Sequence, residues 1–149
     1  MSENLIARAR FVEQQINRRL RKSPWGKFFG FELQAVGDGR AVVQMRVAHK
    51  HKQVHRVVHG GILAALADTA GGLASYTVVP RGTRLATIEM KINYLEAVDK
   101  GTVTADARVL RRGRNFTVVE CDVKDGQGRL AAKALMTFAI GAVEISSKA

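Results

Sequence analysis

A single carboxylate, Asp68, stands in the run Ile62-Leu63-Ala64-Ala65-Leu66-Ala67-Asp68-Thr69-Ala70-Gly71-Gly72, where nothing else ionises. Just ahead lies Gln53-Val54-His55-Arg56-Val57-Val58-His59-Gly60-Gly61. A Gly-Gly opening to a helix leaves unpaired backbone N–H groups at its start, which can take a carbonyl oxygen or an anion. A backbone donor, a carboxylate two turns further on and a nearby side-chain amide are parts of an acyl-transfer site. A carboxylate drawn partly out of water holds a proton more readily, which suits a general base or a nucleophile. The plainer alternative for Asp68 is a solvent-facing residue on a partly exposed helix.

Elements must exist to hold these groups in place. Leu5, Ala9, Val12, Ile16 and Leu20 recur every three or four residues and predict an amphipathic N-terminal helix over 1–22, ended by Ser23-Pro24. Trp25, Phe28 and Phe29 then form an apolar cluster before a first strand near Phe31–Ala35. Gly37-Asp38-Gly39 is a hairpin signal. In the next strand Ala41, Val43, Met45 and Val47 alternate with Val42, Gln44 and Arg46. The segment 59–75 predicts a central helix, so apolar nearly all round that it must be buried, and thin enough for a sheet to wrap closely. Strands follow with inward rows Ile88-Met90-Ile92-Tyr94, Val103-Ala105-Ala107-Val109, Val119-Cys121-Val123 and Leu130-Ala132-Ala134-Met136-Phe138. Such alternation between turn signals reads as antiparallel strands with one face covered, an α+β arrangement of one helix on one sheet.

Taken together, Gln53, the His59-Gly60-Gly61 turn, Asp68, the strand Thr87–Leu95 and the closing segment Gly128–Phe138 resemble the hotdog-fold acyl-CoA thioesterases. Within that family the likeness is to the phenylacetate-pathway-like branch, over nearly the whole chain. The resemblance implies a hotdog fold in which the antiparallel sheet wraps the central helix. It implies Asp68 as catalytic carboxylate, activating water or attacking the thioester itself, and the Gly60 N–H polarising the carbonyl, with His59 and Gly61 beside the substrate. Gln53 fills a position held by Asn or Gln in the family, and can donate to the carbonyl or place the water. Thr87 aligns with a hydroxyl residue that holds the water in some members. Strand parity sets it with Glu89 and Lys91, so helping Asp68 would require a neighbouring subunit. Two departures stand out: Arg56 replaces a common glycine and could reshape the pocket mouth or contact a CoA phosphate, and Gly72 replaces the hydroxyl of another branch. The resemblance further implies a homodimer joined sheet edge to sheet edge, often paired into a tetramer. Gln53 and Gly60 of one chain would meet Asp68 and Thr87 of the other. Coenzyme A enters as part of the substrate, with no metal or redox cofactor.

The 149 residues suit one domain, 1–149, with an ordinary globular composition. The net charge of +11 calls for an anionic partner, whether nucleic acid, an anionic membrane surface or a polyanion such as coenzyme A. Arg111, Arg112 and Arg114 form a cationic hairpin cluster, either phosphate-binding or simply solvated. Aromatic residues make up only 6% and are not interleaved with the basic clusters, which disfavours nucleic acid. No apolar run reaches the length of a membrane span and no secretory signal opens the chain, so a cytoplasmic location is expected. One cysteine, Cys121, leaves no internal disulfide and reads as core filling. His51, His55 and His59, four apart, would align as metal ligands only on a helix, whereas Val54, Val57 and Val58 favour an extended segment. His59 reads instead as a helix-start residue. A non-hydrolytic acyl-CoA sensor with the same fold is the main alternative to an enzyme.

Overall fold

The computed structural model describes residues 13–14 and 16–141. Strands β1 (Phe31–Gly37), β2 (Arg40–Arg46), β3 (Leu85–Tyr94), β4 (Thr102–Arg112), β5 (Phe116–Asp125) and β6 (Leu130–Ile140) form one sheet in the order β1-β2-β4-β5-β6-β3. Every pairing is antiparallel. Helix α1 spans Pro24–Phe29, and the 17-residue helix α2 spans Gly60–Tyr76 and packs across the sheet, in contact with all six strands. This is the hotdog arrangement.

The sequence explains the sheet directly. Gly37 pairs with Arg40, and Asp38 and Gly39 between them take positive φ (48° and 77°), the tight turn that matches strand twist. The alternating rows Ala41-Val43-Met45, Val103-Ala105-Ala107 and Val119-Cys121-Val123 are buried against α2. Burial pushes the Cys121 thiol up to about 12, so it stays a neutral core side chain.

Glycines in α2 allow the close fit. A Cβ on Gly71 would lie 2.7 Å from Met136 Cε and 3.1 Å from the Phe138 ring. The helix is not buried all round, however. Leu63, Leu66, Ala67, Ala70 and Ala74 face the sheet, while Gly61 is exposed and Ala65, Asp68 and Gly72 are half-buried. These four residues share one face at helical spacing, and it is open in a single chain.

Two local expectations change. Ser23-Pro24 ends one helix but starts another: Ser23 caps α1, its Oγ accepting from Gly26 N at 3.3 Å, with Pro24 at the first helical position. Trp25 and Phe28 therefore sit on a helix, where both are exposed. Central helix α2 runs one residue later at each end than 59–75, because His59 is its cap. Residues 1–12 of the expected N-terminal helix lie outside the described residues. Residues 16–22 are helical, with Ile16 and Leu20 buried.

The approach of α1 to the preceding helix leaves no room for a side chain at Gly26. A Cβ there would lie 2.6 Å from the Leu20 carbonyl oxygen, and backbone cannot swing aside as a side-chain tip can. Gly26→Ala should destabilise the fold by about 1–3 kcal/mol, the usual range for overpacking. Thermal unfolding would register a drop of several degrees; an unchanged melting temperature would show that the two helices separate without cost.

Candidate functional site

The loop before α2 is tied at both ends. Lys52 bridges to Val58, His59 N donates to His51 O at 2.9 Å, and Val58 N donates to Val98 O at 2.7 Å. Inside it, Gln53 N donates to Val57 O and Arg56 N to Gln53 O, both at 2.9 Å. Arg56 has φ +63°, the left-handed region that glycine enters without steric cost, which explains why a glycine suits this position. The Gln53 Oε1 accepts a long bond of 3.4 Å from His55 N. Among the described residues its NH₂ has no acceptor.

His59 caps α2, its Nδ1 accepting from Gly61 N at 2.9 Å. Its carbonyl takes the N–H groups of Ile62 and Leu63. Gly61's N–H is thus already used, whereas the Gly60 N–H has no acceptor among the described residues. One donor remains open at the positive end of the helix. A Cβ at Gly60 would lie 3.1 Å from the Tyr94 ring, whose hydroxyl donates to Gly60 O at 3.0 Å. Tyr94 escaped the sequence reading, which gave it only a place in an inward row.

Asp68 lies eight residues after Gly60, about 12 Å along the helix axis. Thr87 Oγ1 donates to Asp68 Oδ1 at 2.8 Å within the same chain. This corrects the expectation from strand parity. Thr87 pairs with Phe138 but Glu89 pairs with Thr137, so Ile88 is an extra residue in a β-bulge. The bulge reverses the alternation: Thr87 faces α2 with buried Phe138, while Glu89 and Lys91 face outward. Ile88, expected inside, is 55% exposed.

The arginines lie elsewhere on the sheet. Arg111 and Arg112 end β4, Arg114 lies in the hairpin, and all three are exposed. Thr87 pairs with Phe138, Phe138 with Thr117 and Thr117 with Arg112, which puts Arg112 in the same transverse row. Three strand spacings, about 14 Å, separate them. The histidines do not converge. His51 is buried in a 3-10 turn, His55 is exposed in the loop and His59 caps the helix. Among the described residues no three His, Cys, Asp or Glu side chains could hold a metal ion.

His51 anchors the Gln53 loop. It is 1% exposed, its Nδ1 accepts from Ala48 N at 2.9 Å, and its Nε2 makes no well-formed hydrogen bond among the described residues. Burial holds the imidazole below its ordinary value; the Lys50 ammonium adds to this and the Phe29 backbone partly opposes it. The folded state therefore binds the proton less readily than the unfolded chain. Its contribution to stability is complete above pH of about 6.5 and is lost as pH falls through the lowered value. Melting temperature should decline on acidification from neutrality, and less steeply in His51→Asn. Parallel declines would remove His51 as the cause.

Within one chain the candidate groups thus fall into two separate sets. Gln53 and the Gly60 N–H stand at the start of α2, and the Asp68–Thr87 pair stands half-way along it. A reacting carbonyl needs both kinds of group within about 3 Å.

A family model described as the thioesterase superfamily matches residues 55–132. A Saccharolobus solfataricus protein named as an esterase is 37% identical over 122 residues, covering 82% of this chain and 86% of its own length. The 1,4-dihydroxy-2-naphthoyl-CoA hydrolase of Listeria monocytogenes is 29% identical over 111 residues, covering 74% and 90%. In structure, the PaaI protein of the Escherichia coli phenylacetic acid degradation operon superposes with a TM-score of 0.81. It is 25% identical, and the match covers 88% of this chain and 94% of that one.

Proposed function

The chain belongs to the thioesterase superfamily, and from that premise we propose that it hydrolyses an aryl- or medium-chain acyl-CoA thioester to the free acid and coenzyme A. That it is a thioester hydrolase follows from the family and its relatives. The observation that carries the finer reading is the Thr87–Asp68 pair on the open face of α2. Thr87 occupies Oδ1 and leaves Oδ2 available to the reaction.

In the general-base route, water attacks the carbonyl carbon and its proton passes to Asp68. The oxyanion that forms takes hydrogen bonds from the Gly60 N–H and the Gln53 amide. When the C–S bond breaks, the sulfur leaves with the proton held by Asp68. In the nucleophilic route, Asp68 attacks the carbonyl, expels the thiolate, and water then cleaves the mixed anhydride. Neither route needs a metal or redox cofactor.

Two copies complete the site on this reading. Among the described residues β3 pairs with β6 alone, which leaves its other side a free edge ten residues long. Ile88 and Leu95 are each 55% exposed along it or just beyond. An edge of this kind favours pairing with a second copy. Such a homodimer would bring the start of one α2 beside Asp68 of the other, and two dimers could pair into a tetramer. No helix among the described residues is long and apolar enough to cross a membrane; we place the enzyme in the cytoplasm.

Release of free thiol from a panel of aryl- and alkyl-CoA thioesters tests the activity. Turnover of at least one is expected, while a folded protein silent across the panel would favour a non-hydrolytic acyl-CoA binder. The same assay tests the basic hairpin. Replacing Arg111, Arg112 and Arg114 by Gln should raise KM for CoA thioesters about tenfold with kcat within about twofold, since phosphate contacts bind ground and transition states alike. The measurement belongs at physiological salt, where exposed charges are screened. An unchanged KM would assign the three arginines to solvent.

A further inference from the structure

Tyr94 meets Gly60 twice. Its hydroxyl donates to the Gly60 carbonyl at 3.0 Å, and its ring atoms lie 3.1–3.2 Å from where a Gly60 Cβ would stand. The same carbonyl belongs to the peptide whose N–H, that of Gly61, donates to His59 Nδ1 at 2.9 Å. The Gly60–Gly61 peptide is therefore held at both ends, by a phenol on its oxygen and an imidazole on its nitrogen.

That restraint bears on a residue with unusual freedom. Glycine has no Cβ to limit φ, and two in succession at a helix start give a loose first turn. The Gly60 N–H is the donor left open there, and it stabilises an oxyanion only if already aimed where charge develops. Tyr94 is half-exposed (51%), so burial alone does not account for its place.

From these contacts we infer that Tyr94 is a positioning residue: its hydroxyl and ring lock the first turn of α2 so that the Gly60 N–H keeps its aim at the thioester carbonyl. The inference rests on the proposed reading of Gly60 as carbonyl donor. It also gives a reason for glycine at position 60 that is separate from access by the substrate: any side chain there would push on the ring that steadies the turn.

The test uses the full-length protein, the best thioester of the panel, and three variants. In the first, Tyr94→Phe removes only the hydroxyl. In the second, glycolic acid replaces Gly60, so that an ester oxygen stands where the N–H was. The third combines both changes. Melting temperature is followed throughout. Tyr94→Phe should lower kcat about tenfold with KM within about twofold, as expected when alignment and not binding is lost. The ester should lower kcat on the order of 10²–10³-fold. In the combined variant the loss of the hydroxyl should cost nothing further, because its effect passes through the missing N–H. If the ester lowers kcat but Tyr94→Phe does not, the positioning role fails and the donor reading survives. An undiminished kcat in the ester overturns both. Multiplicative losses in the combined variant would show that Tyr94 acts by another route and overturn the inference.

Discussion

Asp68→Asn should lower kcat by about 10²–10⁴-fold, the range that a positioned acid–base group contributes. Asn keeps the size of Asp and presents an amide oxygen where Oδ1 stands. It can still accept from Thr87 Oγ1, now 2.8 Å from Asp68 Oδ1. What disappears is the second carboxylate oxygen, able to take a proton from water or to attack carbon. Both routes need that oxygen, so the loss is expected whichever one operates. Asp68 is half-buried on the open face of α2 and outside the buried core, so melting temperature should change little. The informative reading is thus a fall in kcat at constant fold and assembly. Full turnover by Asp68→Asn would remove the carboxylate from the mechanism and leave its bond to Thr87 a structural contact.

Mixing two inactive proteins should restore activity if each site is built from two chains. The basis is distance: Gly60 and Asp68 stand about 12 Å apart on one helix, too far to act on one carbonyl. Asp68→Asn disables one half-site and Gln53→Ala the other; Gln53 sits in a surface loop where truncation spares the core. Unfolding and refolding an equimolar mixture should make half of the dimers mixed. Each mixed dimer would hold one site with both lesions and one with neither, so recovery should approach about a quarter of the native activity. The two proteins refolded separately provide the background. Recovery no greater than that background would place Gln53 and Asp68 in a common site within one chain, or dismiss Gln53 from catalysis.

Much of this protein could be read from its residues because the physics there is local. Alternating apolar positions fix which face of a strand is buried, so the inward rows of β2, β4, β5 and β6 were legible. Turn chemistry was legible too: Asp38-Gly39 closes its hairpin with two positive φ angles. His59 was recognisable as a helix-start residue, and its ring does cap α2. The family, and with it thioester hydrolysis, could be recognised from a few residues spaced along the chain.

The rest depended on contacts between segments far apart in sequence. Thr87-Ile88-Glu89 looks like unbroken alternation, and no residue type marks Ile88 as an insertion. The bulge exists only relative to β6, where Thr87 faces Phe138 and Glu89 faces Thr137. One added residue reversed the strand and brought Thr87 to Asp68 within the same chain. The contact between Tyr94 and Gly60, 34 positions apart, likewise follows from how β3 crosses the start of α2. The elements, most of their buried faces and the types of group available for catalysis follow from the residues alone, because these depend on side-chain period and backbone conformation. Which of those groups touch is set by the folded arrangement, because register, bulges and helix placement are relations between segments that no single segment encodes.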